Sequence, residues 1–333
     1  MVEKSKIKVS FILGILNAER TLRECLDGIL MQDYPEEDYE IIIADGGSKD
    51  KTLEIISEYR KKTENIRLIH NPYKLSEGKG HGKDMAVDTS RGEIVIFVDH
   101  DNILLGKNWL KETLKPFEDD EIMASQSLLR PRKGDSLFLQ YVNALGVEDP
   151  FAVPYSLTAQ VSLYPERFRK VDSYYLHVLN PKKVLFLGAN GCAFRKSVFR
   201  KIGGYTRDVD VSASMAEYRM KVAVPEKPRV YHKTGSNALE FLKKKGLYFY
   251  RFITNEYEDR KFRWIPEDLS GKIRFFLMVF YNLSIIGPSL FALKQFLKSG
   301  ELFWILHPGF LFFVTLEDGL ITLLRFGNFL RYA

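Results

Sequence analysis

Residues 94–102 read IVIFVDHDN, five continuous apolar residues followed by two aspartates that flank a histidine. A short run rich in Ile and Val and bounded by polar residues predicts a β-strand buried on both faces, as in a parallel sheet covered by helices. Three further runs share that character: Val9 to Ile15, Ile41 to Ala44 and Ile66 to His70. Between them, Thr21 to Met31 and Lys51 to Lys61 carry helical spacing. The alternation predicts an α/β domain with a mostly parallel central sheet. Every run ends in polar sequence, namely LNAER, DGGSKD, NPYKLSEGKGHGKD and DHDN. The carboxyl ends of parallel strands form the ligand crevice of an open sheet, so these four loops are expected to converge.

Asp99 and Asp101 stand one residue apart, where two like charges repel and one tends to keep its proton. An anionic diphosphate ~5 Å from such a carboxylate is repelled by about 3 kcal/mol per unit pair at an effective dielectric near 20. A divalent cation reverses that sign. Mg²⁺ or Mn²⁺ suits oxygen ligands and is commonly held by one or two carboxylates together with substrate phosphates. The pair therefore reads as a metal bridge to a nucleotide diphosphate, against the competing reading of a solvated turn at a strand end. In DGGSKD, Asp45 can accept a base or ribose donor, while Gly46 and Gly47 permit close backbone approach. In EGKGHGKD, Lys79 and Lys83 are placed to meet phosphate oxygens. The loop is not a Walker motif, because the Lys-Ser/Thr pair is absent.

Composition is consistent with a folded, anion-binding protein. The chain has 333 residues, 45% of them hydrophobic, and a formal net charge of +6. Its two cysteines, Cys25 and Cys192, are far apart and lack metal-ligand spacing, so neither a disulfide framework nor a zinc site is expected. The opening MVEKSKIKVSFILGIL imitates a signal peptide, but NAER follows where a small-residue cleavage site belongs. It is read as the first strand.

The order of these elements, over roughly residues 7 to 235, resembles the family 2 inverting glycosyltransferases. That resemblance implies a GT-A fold, which is a Rossmann-like nucleotide-diphospho-sugar transferase domain, and a UDP- or GDP-sugar donor. The turn after the first strand keeps Asn17 and Glu19 beside Leu16, without the aromatic more usual there, and is implied to lie near the nucleoside. DGGSKD keeps Asp45 as the implied base-binding acid, with Gly46 in place of a second Asp. Lys79 and Lys83 match basic positions of the glycine-containing loop, and Asp84 stands where Asn is more usual. VDHDN matches the DxD motif. Asp99 is implied nearer the ribose, His100 within the donor site, and Asp101 as the stronger metal ligand.

On the acceptor side, GANG, Gly188-Ala189-Asn190-Gly191, resembles the family's acceptor loop, and GGY then leads to TRDVDVSAS. Inversion at a sugar carbon needs a base for the acceptor hydroxyl. The usual Glu-Asp pair is missing, so Asp208 or Asp210 is implied in that role, with a slight preference for Asp208. His232, in VYHK, is implied as a third metal ligand or phosphate contact. RKFRW, residues 260–264, resembles the QxxRW signature of processive relatives with Arg260 in place of Gln, which argues against polymer synthesis.

Beyond residue 268 the composition changes. Phe275 to Leu293 is uncharged and near bilayer-spanning length, and Leu302 to Leu316 is a shorter apolar run leading into Glu317 and Asp318. The expected division is a catalytic domain over 1–268 and a membrane-associated helical region over 269–333, whose apolar runs make either two crossings or a re-entrant hairpin. Lys261, Arg263, Lys272, Arg274, Arg325 and Arg331 flank the apolar runs, against Lys294 and Lys298 between them. That bias predicts a catalytic domain on the cytoplasmic side. The expected acceptor is a saccharide or a lipid-linked molecule. One alternative is a polyprenyl-phosphate sugar transferase, whose lipid phosphate is itself the nucleophile. Another is a nucleic-acid-binding or adaptor protein with salt-sensitive binding, although no nucleic-acid module is recognisable. Nucleic acid is not an expected partner.

Overall fold

The apolar runs become strands almost where the sequence marks them. The computed structural model describes residues 9–332, apart from 183, 189, 235–236, 258 and 265–267. In chain order the elements begin β1 (Val9–Ile15), α1 (Leu22–Leu30), β2 (Tyr39–Asp45), α2 (Thr52–Arg60), β3 (Ile66–His70), α3 (Gly82–Thr89) and β4 (Ile94–Val98). They continue with β5 (Asn102–Leu105), α4 (Trp109–Leu114), β6 (Ile122–Gln126), β7 (Leu128–Leu129), α5 (Leu137–Leu145), β8 (Arg169–Val171), β9 (Tyr174–Val178) and β10 (Asn190–Arg195). The last are α6 (Ser197–Ile202), α7 (Asp208–Glu217), β11 (Lys221–Pro225), β12 (Arg229–His232), α8 (Ala238–Arg251), α9 (Leu269–Leu283), α10 (Ile286–Ser299) and α11 (Leu306–Tyr332).

The chain divides into two compact units, one made of Met1–Arg130 with Tyr164–Lys233, the other of Pro131–Leu163 with Thr234–Ala333. In the first, a nine-stranded sheet runs β3-β2-β1-β4-β10-β6-β11-β9-β8. The four strands read from the sequence, β3-β2-β1-β4, pair in parallel as expected. β1, β2 and β4 are buried at every position, because helices cover both faces, whereas β3 at the edge alternates.

Beyond β4 the sheet is mixed. β10 joins antiparallel between β4 and β6, and Asn190 stands opposite Val98. Apolar runs encode burial rather than strand direction, which is why the reversal is not visible in the pattern. Its consequence is decisive, since an antiparallel strand begins where its parallel neighbour ends. The start of β10 thus lies at the same sheet edge as the DHDN loop. A small second sheet, β5-β12-β7, sets β12 antiparallel to β5 with His232 opposite Asn102.

The second unit is helical. Phe138 and Tyr141 of α5 pack on Phe310 of α11, and Phe241 of α8 closes the cluster. The Tyr141 hydroxyl lies 2.8 Å from His307 Nδ1, and Asn282 of α9 donates to Thr315 of α11 at 3.1 Å. Trp264 of the RKFRW stretch packs on Phe151 and Tyr155, an aromatic cluster of this unit.

The expected span Phe275 to Leu293 is not one helix. α9 ends at Leu283, Ile285 takes φ +62°, and α10 departs at 72°. Pro288 accounts for the break, because in a continuous helix its ring would strike the Ser284 carbonyl four residues back. Conversely, the run judged shorter belongs to Leu302–Arg325, 24 residues of mean hydropathy 1.3. Among the described residues it is the one helix long and apolar enough to cross a bilayer, with the bent α9–α10 pair qualifying only if taken as a single span.

Candidate active site

The loop after β1 and the loop after β2 are joined by backbone hydrogen bonds to short side chains. Asn17, at φ +53°, donates its N–H to Ser48 Oγ at 2.8 Å and accepts from the Lys49 N–H at 2.9 Å. Glu19 accepts from the Lys51 N–H at 3.0 Å, and its own N–H donates to Asp50 at 3.1 Å. Leu16 is exposed at the rim. Asp45, buried at the end of β2, accepts from the Gly47 and Ser48 N–H groups at 2.9 and 3.0 Å and from the Ser48 hydroxyl at 2.5 Å. Its carboxylate therefore shapes its own loop.

Gly46 occurs where the resembling motif carries an acid, and the packing explains it. A Cβ there would stand 2.9 Å from the Lys74 carbonyl oxygen, so the third loop is laid directly against the second.

That third loop delivers the strongest charge of the site. Lys83, in the first turn of α3, is 1% exposed and its Nζ lies 3.1 Å from Asp99 and 3.2 Å from Glu77. Burial alone would lower its pKa, yet Asp99, Asp208 and Glu77 together hold it well above the ordinary ammonium range. Lys79 is exposed on the same loop. Asp84 fixes the loop to the GGY turn, accepting from the Gly80 N–H at 2.7 Å and the Tyr205 N–H at 2.6 Å. An acceptor-only carboxylate suits two N–H donors, which accounts for Asp in place of Asn.

At the end of β4 the two aspartates separate. Asp99 turns to Lys83, while Asp101 Oδ2 faces His232 Nε2 at 3.3 Å. The β5–β12 register brings His232 there. His100 Nδ1 lies 2.7 Å from the Thr21 hydroxyl. No group of three or more His, Cys, Asp or Glu side chains is gathered for a metal ion among the described residues, so Asp99, Asp101 and His232 do not form one cluster. Lys83 competes for Asp99. A cleft of ≈ 580 Å³ opens between these loops, lined by Asn17, Glu19, Lys49, His100, Asp101 and Lys233 among others.

Asp208 is the first residue of α7 and accepts the Tyr205 hydroxyl at 2.5 Å. Burial pushes its carboxyl up to about 7; Lys83 opposes the rise, and Glu77 and Asp99 add to it. A Cβ on Gly188 would lie 3.5 Å from Asp208 Oδ2 and 3.7 Å from Asn190 Nδ2, so Gly188 borders this carboxylate. Gly188 donates its N–H to Gln126 at 3.1 Å. Gly191, at φ +74°, has no room for a side chain against Trp109, 2.7 Å from its ideal Cβ. Ala189 lies outside the described residues. Asp210 is 4% exposed, and two residues along the helix its side chain leaves the axis about 200° away from that of Asp208.

Two members of this group are absent from the sequence reading, Glu77 and the Tyr205 hydroxyl. Only their places beside Lys79 and within GGY signalled them.

The model of Glycosyl transferase family 2 matches residues 10–203. A poly(ribitol-phosphate) beta-glucosyltransferase of Bacillus spizizenii is 38% identical over 98 residues, 29% of this chain and 15% of the relative. A dolichyl N-acetyl-alpha-D-glucosaminyl phosphate 3-beta-D-2,3-diacetamido-2,3-dideoxy-beta-D-glucuronosyltransferase of Methanococcus voltae is 43% identical over 77 residues, 21% of this chain and 24% of the relative. The matched segments thus span less than a quarter of either relative's length. Among solved structures, the mannosyltransferase PcManGT from Pyrobaculum calidifontis, in complex with GDP-Man and Mn²⁺, superposes with a TM-score of 0.58 at 15% identity. That match covers 95% of this chain and 88% of the other, and the shared fold is the GT-A fold.

Proposed function

This chain belongs to glycosyl transferase family 2, and from that premise we propose that it is a metal-dependent inverting glycosyltransferase moving a sugar from a UDP- or GDP-sugar to a saccharide or lipid-linked acceptor. The observation that carries the reading is the convergence on one sheet edge of Asp208, with its carboxyl raised to about 7, and the Asp101–His232 pair beside a nucleotide-sized cleft. A base with a pKa near the operating pH is best placed to take an acceptor proton.

The Asp101–His232 pair fits a divalent ion. Asp101 and His232, whose Oδ2 and Nε2 lie 3.3 Å apart, are the residues that would hold it. One oxygen and one nitrogen donor suit Mn²⁺ at least as well as Mg²⁺. Bound there, the ion would neutralise the departing diphosphate. Lys83, kept charged and held by Asp99, supplies a second positive centre on the same side. Leu16, Asn17, Glu19, Asp45, Gly46, Lys79 and His100 are assigned to the donor cleft, and Gly188 to Gly191 to the acceptor.

Thermal-shift screening with UDP, GDP and their sugars tests this directly. One nucleoside diphosphate series should stabilise the protein only when Mn²⁺ is present, by about 2.7 kcal/mol at a hundredfold excess over Kd. No stabilisation by any of them overturns the reading.

The lipid-linked acceptor rests on the helical unit. Phe276, Phe280, Ile286 and Leu297 of α9 and α10, and Ile305 just before α11, are each at least 66% exposed. An apolar face of that extent suits a lipid environment rather than water. Within this reading residues 1–268 are catalytic, 269–333 are membrane-associated, and the catalytic part faces the cytoplasm. The full chain should remain with membranes after carbonate extraction, and a monodisperse protein without detergent would defeat the membrane assignment.

A further inference from the structure

We propose that Tyr205 is the positioning residue of the reaction, turning the Asp208 carboxylate so that Oδ2 is presented toward Gly188 to take the acceptor proton. The inference rests on Asp208 being the base. Tyr205 is held on every side. Its ring stacks on Phe97 at 4.8 Å and 26°, and its backbone N–H is fixed by Asp84. At 1% exposure the phenol has one heading. Its hydroxyl meets Asp208 Oδ1 at 2.5 Å and lies 3.3 Å from Glu77 Oε1. A single proton serves the nearer oxygen.

With Oδ1 so engaged, Oδ2 is the oxygen that faces Gly188, where a Cβ would approach to 3.5 Å. The absence of a side chain at 188 leaves room for an acceptor hydroxyl there. In the step this implies, the acceptor O–H bond breaks and its proton passes to Oδ2. The oxygen's electron pair forms the bond to the sugar's anomeric carbon, and the carbon–phosphate-oxygen bond breaks with its pair leaving on the diphosphate. The charged and titratable groups facing Asp208 include Lys83 from α3, Glu77 from the loop before it, Asp99 from the end of β4, the buried Cys192 thiol from β10, and Tyr205 itself. Of these, Tyr205 is the group that donates a hydrogen bond of 2.5 Å to a specified carboxylate oxygen.

Tyr205→Phe keeps the ring packing and deletes the donor. The assay is nucleoside-diphosphate release by the full chain from the donor selected in the thermal-shift screen, with Mn²⁺ saturating. The expected result is a kcat lower by about 10- to 100-fold, the range for a hydrogen bond to a charged group, with donor KM within about twofold. The acid limb of the kcat profile should also move to higher pH, because a hydrogen bond favouring the ionised carboxylate is gone. The same displacement should appear without turnover in the ¹³C carboxyl titration of Asp208. Unchanged kcat and titration in Tyr205→Phe, with Asp208→Asn inactive, overturn the positioning role. A loss of kcat with no change in either titration also overturns it, since that is a packing effect. Normal turnover by Asp208→Asn is a different failure, which removes the base and this inference together.

Discussion

Asp208→Asn is expected to lower turnover on the order of 10²- to 10⁴-fold while leaving donor binding nearly intact, the cost of losing a general base. Asparagine keeps the shape and can still accept from Tyr205, but it cannot take a proton. The measurements are kcat and the Mn²⁺-dependent thermal shift with the nucleoside diphosphate, and only the first should change. Stability gives an independent sign. The folded protein holds the Asp208 proton up to about 7, whereas an unfolded Asp releases it near the ordinary carboxyl value of 3.8, so folded chains bind more protons in that window. Stability from this group is therefore greatest below the window and declines as pH rises through it. Asp208→Asn should flatten that decline and be no less stable than the parent at pH 8. Near-normal turnover in both Asp208→Asn and Asp210→Asn would point to a nucleophile that needs no base, as an acceptor lipid phosphate would be.

The convergence of the four loops was legible because each of them follows an apolar run. Val9 to Ile15, Ile66 to His70 and Ile94 to Val98 fold as strands with those limits, and a parallel sheet obliges their polar ends to meet. The surroundings of Asp208 were legible only in part. Choosing between Asp208 and Asp210 depends on where α7 starts, and the residue before it, Arg207, is an extended N-cap without a capping side chain. None of the usual Ser, Thr, Asp or Asn cap signals marks that start. Glu77 was invisible for another reason. It is one polar residue in a glycine-rich loop, and its role comes from the burial of Lys83 six positions later.

Long-range register needed more than local pattern. Only the family resemblance put His232 with Asp101, because the two meet through the antiparallel pairing of β12 with β5, a contact across 131 positions that no local pattern carries. In the helical unit, hydropathy measured apolar length but not continuity. Pro288 was present in the span taken as unbroken, and a proline four residues beyond the last helical carbonyl is itself a stop signal. Giving that residue its weight would have moved the spanning candidate to Leu302–Arg325.

Asp101→Asn is the second large effect expected, and it should differ in kind from the loss of Asp208. Removing one anionic ligand from a two-donor protein site should weaken Mn²⁺-dependent binding of the nucleoside diphosphate by at least about 100-fold, the upper range seen even for indirect partners of a metal ligand. Turnover should fall below detection, because without the ion the departing diphosphate keeps its full charge against Asp99 and Glu77. The substitution is conservative for the fold. The Asp101 carbonyl still accepts the Lys233 N–H at 2.8 Å, so the β5–β12 contact persists and the melting temperature without ligand should hold. EDTA supplies the matching measurement on the unaltered chain. If turnover persists in EDTA, or if Asp101→Asn binds the diphosphate equally well with and without Mn²⁺ and still turns over, the ion is not part of the reaction. Lys83, buried and held in its charged form, would then be left as the principal cation facing the leaving group.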